Sequence, residues 1–173
     1  MSDVANSPGG GDPRANEAPL TVQLQYTKDL SFENPLAPRS FQSLQQQPNI
    51  DLNIQVRTRE LEARTYEVAL VINADARNPE SESIFMLELV YCGVVTLSAE
   101  VPQDAYGPLL LIETPRLIFP YARAIVSTTT REAGFPPLQI APVDFVALYR
   151  RQLEQSGQMG QPQGGGEPDI KLN

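Results

Sequence analysis

Four side chains stand out as a possible binding surface for a charged partner. Asp29 and Glu33 lie four residues apart in a segment that alternates like a β-strand, so both carboxylates should point to the same face. Met86 and Glu88 would extend that patch if the two strands that carry them are neighbours. Carboxylates spaced in this way form either an ordinary solvated surface or a docking patch for a basic partner. The spacing alone leaves both interpretations open.

The sequence offers little for catalysis. It contains no histidine, which excludes serine–histidine–aspartate and cysteine–histidine mechanisms and imidazole metal sites. Its one cysteine, Cys92, lies in an apolar run, where an inert buried thiol is expected. No glycine-rich phosphate loop precedes a helix, and a single cysteine cannot form the pairs typical of zinc sites. We therefore expect neither an enzyme nor a bound cofactor or metal.

An apolar set of candidate residues surrounds a proline-rich arm, residues 134–142, with the sequence GFPPLQIAP. Each proline pushes the residue before it towards extended geometry, so the arm should not be helical. A helix is predicted to begin at Pro142, with an apolar stripe that includes Phe145 and Tyr149. An extended apolar arm beside an apolar helix face makes a groove. Another chain segment could lie in it.

Four predicted strands precede this arm. Residues 20–33, 50–57 and 66–76 alternate apolar and polar side chains, residues 58–63 form a charged turn, and residues 83–97 are apolar on both faces. Glu88 is the only charge in the fourth strand, so the face that it shares with Met86 should be the more exposed one. The side chains that should then point inward are Leu87, Leu89 and Tyr91.

The order of these elements predicts the fold. A further helix, from about Arg116 to Thr130, precedes the arm and carries Leu117 and Phe119. Strands followed by helices, with short turns between the strands, indicate an α+β fold: a four-stranded antiparallel sheet with two helices packed on one face. The apolar surface of the fourth strand exceeds what two helices would cover. We therefore expect the chain to associate with itself.

Length and composition limit the remaining possibilities. The 173 residues suit a single domain, residues 20–155, between a disordered leader, residues 1–19, and a flexible tail, residues 156–173. Thirteen basic against 21 acidic residues give a net charge of −8, which argues against nucleic acid as a partner. No secretory signal and no apolar run long enough to cross a bilayer are present. A cytoplasmic protein without stable membrane insertion is expected.

Three separated blocks resemble the bacterial export chaperone SecB, in the same order and within Leu20 to Leu153. They are YTKDLSFENPLAP (Tyr26 to Pro38), FPYAR (Phe119 to Arg123) and FPPLQIAPVDFVALY (Phe135 to Tyr149). The resemblance implies a homotetramer, built as a dimer of dimers, that acts as an ATP-independent holdase. Such a protein binds unfolded preproteins through hydrophobic grooves, keeps them competent for translocation and delivers them to the translocase motor SecA.

The resemblance also assigns residues to three surfaces. It implies a motor-docking face at Asp29, Glu33, Met86 and Glu88. It implies a client groove lined by Phe41, Ile50, Leu52, Ile54, Tyr121, Phe135, Leu138 and Tyr149. It implies a contact between dimers at Leu87, Leu89 and Tyr91. The alternative is an oligomeric scaffold, without client-holding activity, whose apolar grooves are only inter-subunit core.

Overall fold

The computed structural model describes residues 18–41 and 48–159 of the chain. The four strands are β1 (Leu20–Glu33), β2 (Asn49–Glu62), β3 (Thr65–Arg77) and β4 (Ser83–Leu97). The helical elements that follow are a 3₁₀ turn (Gln103–Ala105), a single α-helical turn α1 (Tyr106–Pro108), a π-helical turn (Leu109–Glu113), α2 (Thr114–Glu132) and α3 (Phe145–Met159). The predicted α+β architecture is confirmed. Nearly all of the predicted leader and most of the tail lie outside the described residues.

The strands form one antiparallel sheet in the order β1-β4-β3-β2. Because β4 is an interior strand between β1 and β3, it needs apolar side chains more than the edge strands do. Strand β2 is longer than predicted, since Thr58 and Glu60 continue the ladder opposite Val68 and Tyr66. The predicted turn over residues 58–63 is therefore wrong, and the chain reverses only at residues 63–64.

Strand β1 contains two β-bulges that its sequence pattern does not predict. Its pairing with β4 shifts by one residue between Val22 and Leu24 and again between Thr27 and Asp29. Each bulge turns the following side chains to the other face of the sheet. The prediction of one unbroken alternation is wrong for Leu24 and Tyr26, which lie between the bulges and pair with Val94 and Cys92. The second bulge restores the original parity.

The core lies between one face of the sheet and α2. Ile118, Phe119, Ala122 and Val126 of α2 are buried against β3 and β4. The helix passes close to the sheet at Gly93, where a Cβ atom would lie 3.1 Å from Ile118 Cγ2. The opposite face of the sheet, called the open face below, carries no helix within the described parts of the chain. The predicted exposure pattern of β4 is confirmed, with Met86 and Glu88 exposed and the intervening side chains buried.

The helix boundaries differ from the predicted ones. Helix α3 begins at Phe145 rather than Pro142, because the Asp144 carboxylate accepts a hydrogen bond from the Ala147 N–H at 3.0 Å and so caps the helix. Helix α2 begins at Thr114, and the short helical turns before it were not predicted. Leu117 points away from the core. No helix in the described ranges is long and apolar enough to cross a membrane.

Candidate functional site

The acidic patch comprises Asp29, Glu33, Met86 and Glu88. Strands β1 and β4 are neighbours, with Glu33 opposite Met86 and Ser31 opposite Glu88, so the four side chains share the open face. The condition under which Met86 and Glu88 extend the patch of Asp29 and Glu33 is therefore met. Asp29, Glu33 and Glu88 form no ion pair within the described part of the chain. All three side chains are exposed, so their negative charge faces solvent.

Two further carboxylates border the patch. Asp51 on β2 and Asp75 on β3 line a depression of about 320 Å³ together with Glu33, Met86 and Glu88. A hydrogen bond from the Ser83 hydroxyl at 2.8 Å and the Arg77 guanidinium at 2.6 Å lower the pKa of Asp75. The sequence prediction missed both acids. They lie opposite each other in register, a signal that becomes readable only once the strand order is known.

The arm packs against a cluster of aromatic rings. Phe135 is buried, and its ring centroid lies 5.1 Å from that of Phe85, 5.2 Å from Phe41 and 6.0 Å from Phe32. The chain enters the arm at Gly134 with a φ of +89°, a conformation that side chains with a Cβ rarely adopt. Phe135 is thus mainly an anchor that holds the arm to the sheet.

Thr130 fastens the arm to α2. Its buried hydroxyl accepts a hydrogen bond from the Leu138 N–H at 2.9 Å and lies 3.0 Å from the Val126 carbonyl, to which it donates. The Thr130 carbonyl accepts a further hydrogen bond from the Phe135 N–H at 3.1 Å. These two backbone N–H groups of the arm are therefore hydrogen-bonded to α2, although its prolines themselves cannot donate such bonds. Nothing in the residue pattern predicted this role for a threonine at the end of a helix.

A groove runs between the arm and β2. It has a volume of about 430 Å³ and is lined mainly by apolar side chains, which include Pro48, Ile50, Ile84, Phe85, Phe135, Pro136, Pro137 and Leu138. Beyond the groove, β2 continues an apolar row on the same face through Leu52 to Ile54, which borders a second depression of about 480 Å³ beside Leu148 of α3. Ile50 and Leu52 each remain 37% exposed. We call Ile50, Leu52 and Ile54 the β2 row.

Two predicted groove residues lie elsewhere in the single chain. Tyr121 is on the outer side of α2 and is 55% exposed, because Ile118 and Ala122 occupy the side that faces the sheet. Tyr149 packs over α1, where a Cβ atom at Gly107 would lie 2.6 Å from the Tyr149 hydroxyl oxygen. Phe41 does not line the arm groove but packs against the ring of Phe135. The predicted set therefore divides between the arm groove with the β2 row, this aromatic contact, and two separate surfaces.

The residues predicted to join two dimers are internal. Leu87, Leu89 and Tyr91 are buried in the core that includes Ile118 and Phe119 of α2. A side chain covered by its own helix does not present a surface to a second chain in this arrangement. The exposed surface nearby is the outer side of α2, where Leu117 is 50% exposed beside Tyr121 and where Pro120, Ala124 and Thr128 add no charge.

Comparison with known proteins gives a consistent result. The family model described as preprotein translocase subunit SecB matches residues 13–156. The protein-export protein SecB of Rhodopseudomonas palustris is 49% identical over 154 residues, which cover 88% of this chain and 96% of the relative. The protein-export protein SecB of Granulibacter bethesdensis is 48% identical over 147 residues, covering 81% and 85%.

One solved structure supports the fold. A SecB-like chaperone of Mycobacterium tuberculosis, in complex with a peptide from an antitoxin, superposes with a TM-score of 0.60 over 72% of this chain and 91% of that chain. The sequences are only 13% identical, so the similarity concerns the arrangement of strands and helices.

Proposed function

This chain belongs to the SecB family, and from that membership we propose how it serves preprotein export. It is a chaperone of protein export that holds unfolded preproteins, without ATP, in the arm groove and along the β2 row. The observation that carries this proposal is the exposure of Ile50 and Leu52 beside an apolar groove. Contiguous apolar surface of this kind marks a place where another chain binds. The cytoplasm is the proposed location, since the clients are captured before translocation.

The shape of the surface suits extended clients. The β2 row follows a strand, along which the three same-face side chains span about 13 Å, so an extended segment can contact all of them. Apolar burial is non-directional and contributes about 25 cal/mol per Å². Many sequences can therefore use one groove. Capture should show a negative heat-capacity change and little loss of affinity in salt.

The first experiment separates a holdase from a scaffold. An unrelated denatured protein is diluted into buffer with an equimolar amount of this chain, and aggregation is followed by light scattering, with and without ATP. A holdase suppresses the scattering equally in both cases. Undiminished scattering would leave the oligomeric scaffold as the better account. A strong dependence of client affinity on salt would indicate capture by charge instead of apolar burial.

We also propose that the SecA motor docks on the acidic patch. The support is the three carboxylates of the patch, which form no ion pair among the described residues, surround the exposed Met86 and suit a basic, partly apolar partner. Asp29→Lys and Glu88→Lys should each weaken motor binding, and salt should weaken it further in the parent. Glu100→Lys makes the same charge change at an exposed site outside the patch and should leave motor affinity unchanged. Equal motor affinity in all four proteins, with client holding intact, would reject this docking face.

The third part of the proposal is a homotetramer arranged as a dimer of dimers. The outer side of α2 from Leu117 to Thr128 carries no charge, and the half-exposed Leu117 and Tyr121 on it support self-association there. Leu87, Leu89 and Tyr91 would then affect assembly indirectly, because they seat α2 on the sheet. Tyr121→Glu should lower the mass measured by light scattering, since a desolvated charge opposes the contact. A full-mass oligomer in this variant would exclude this side of α2 as the contact.

A further inference from the structure

A buried carboxylate ties three strands together across the open face. Glu67 on β3 is only 5% exposed. Its Oε1 lies 2.8 Å from Lys28 Nζ of β1 and 3.4 Å from Arg59 Nη2 of β2, while its Oε2 accepts a hydrogen bond from the Tyr26 hydroxyl. We call these four residues the Glu67 cluster. Hydrogen bonds from Lys28 and Tyr26 lower the pKa of Glu67, so the carboxylate stays charged under its partners.

Lys28 is also the extra residue of the second bulge in β1. The register runs from Thr27 opposite Tyr91 directly to Asp29 opposite Val90, which leaves Lys28 without a partner in the ladder. Its ammonium group instead reaches over β4 to Glu67 on β3. The hydrogen bond of Tyr26, two residues earlier, ends on the same carboxylate. The cluster therefore holds the chain just before the register change, at Tyr26, and at the bulge residue itself, Lys28.

This bulge decides which face the acids occupy. With uninterrupted pairing after Thr27, Asp29 would stand opposite Leu89, and Glu33 would likewise turn towards the helix-covered face. Leu30 and Phe32 would move to the open face in exchange. A one-residue slip would thus remove two of the three carboxylates from the acidic patch. The bulge must be fixed for the patch to exist.

We propose that Lys28 and Glu67 are positioning residues for partner docking, because their ion pair fixes the β1 bulge that places Asp29 and Glu33 beside Met86 and Glu88. The inference rests on the proposed docking of a basic motor at the acidic patch. For the loss of Lys28, this proposal predicts weaker docking, whereas net charge alone predicts stronger docking. Removing the Lys28 charge makes the open face more negative, which by itself strengthens attraction to a basic partner. Loss of the bulge weakens docking instead.

The decisive variant is Lys28→Met, compared with the parent for motor affinity. Docking should weaken by up to about tenfold, because two exposed carboxylates leave the contact surface and each exposed charge pair contributes modestly. Arg57→Met is the matched control: it removes one positive charge from the same open face, where Arg57 donates a hydrogen bond to Gln55 and forms no ion pair among the described residues. The control should bind the motor as tightly as the parent or more tightly. Lys28→Arg keeps the ion pair and should restore docking.

A second readout reports the register itself. Cysteines placed by Ser31→Cys and Glu88→Cys stand opposite each other in the native pairing and should form a disulfide on mild oxidation. The yield should fall when Lys28→Met is added to the same protein and remain high with Arg57→Met. Tyr26→Phe removes a single hydrogen bond from Glu67 and provides a milder variant, with a smaller loss of docking, if Lys28→Met does not fold.

The outcomes separate this inference from the docking proposal. If Asp29→Lys and Glu88→Lys weaken docking but Lys28→Met binds the motor as tightly as Arg57→Met, with the disulfide formed normally, the positioning role is wrong and the docking face stands. If neither Asp29→Lys nor Glu88→Lys weakens docking, both proposals fail together. Loss of docking in Lys28→Met, with the disulfide lost and rescue by Lys28→Arg, supports both.

Discussion

The β2 row gives the sharpest test of client capture, through the single variants Ile50→Ser and Leu52→Ser. Fully burying an isoleucine or leucine side chain contributes about 1.5–3 kcal/mol of favourable free energy. Each is 37% exposed in the free chain, so a client can cover only that remaining part. The expected loss is therefore about 0.6–1.1 kcal/mol for each substitution, or roughly a three- to sixfold weaker affinity.

The double variant, Ile50→Ser with Leu52→Ser, should lose more client affinity than either single variant. If the two losses add, affinity for a client falls roughly 7- to 40-fold. Leu61→Ser is the control, because Leu61 lies on the same strand at its far end and is 42% exposed. It removes a comparable apolar surface outside the row and should leave client affinity unchanged. The assay is calorimetric titration of a permanently unfolded client, after each variant has been checked for unchanged oligomer mass and for native structure by circular dichroism.

Two results would refute this reasoning. If Leu61→Ser weakened binding as much as Ile50→Ser, the client would be held by any exposed apolar side chain and the row would have no special role. If the double variant bound as tightly as the parent, the clients would lie elsewhere. A heat-capacity change on binding that shrinks in the double variant would independently indicate that apolar burial in this row had been lost.

Three further predictions concern the arm and the buried carboxylate. Gly134→Ala should destabilise the chain by about 1–3 kcal/mol in urea denaturation, because φ is +89° and the new Cβ would lie 3.0 Å from Phe41 Cε1; an unchanged midpoint would contradict this. Thr130→Val keeps the side-chain shape but leaves the Leu138 N–H without its acceptor, which should cost about 1–3 kcal/mol and speed hydrogen exchange at that amide. The folded-state pKa of Glu67 is lowered, so its stabilisation is present above the unfolded value of about 4.3 and is lost as pH falls through the folded value. Glu67→Gln should therefore show a shallower acid-induced loss of stability, and an unaltered acid profile would argue against the role of the ion pair.

Local patterns were sufficient to predict the sheet and the inside and outside of β4. A single charge, Glu88, identified the exposed parity, and the burial of Leu87 and Leu89 agrees with it. The same reasoning failed within β1. Its two bulges cancel, so the apolar pattern at Leu20 and Phe32 is consistent with a regular strand. The partner that holds the second bulge, Glu67, lies 39 residues from Lys28 and is invisible to any local pattern.

What the side chains of the helices contact was hard to predict for a related reason. Periodicity describes which side chains share a side of a helix, but it does not say which other element lies there. Tyr149 meets Gly107 in a short helical turn that has no periodic signal of its own. Leu117 and Tyr121 belong to an apolar side of α2 that no other described residue of this chain covers fully. Whether an apolar side chain is core, groove or contact between chains depends on strand order and on partners, which spacing does not encode.

The acidic patch and the arm groove lie on opposite sides of the same strand ends. Phe32 stands between Ser31 and Glu33 in β1, and Phe85 precedes Met86 in β4, so the residues next to the patch carry rings on the helix side. Those two rings stack at 5.4 Å and hold Phe135 of the arm. A partner that shifts the strand ends by docking on the patch therefore acts on the anchor of the groove across one sheet thickness. One aromatic pair contributes about 0.5–1.5 kcal/mol, and coupling between two sites commonly amounts to about 1–3 kcal/mol. Weakening two of the Phe135 ring contacts would be enough to couple docking to client release.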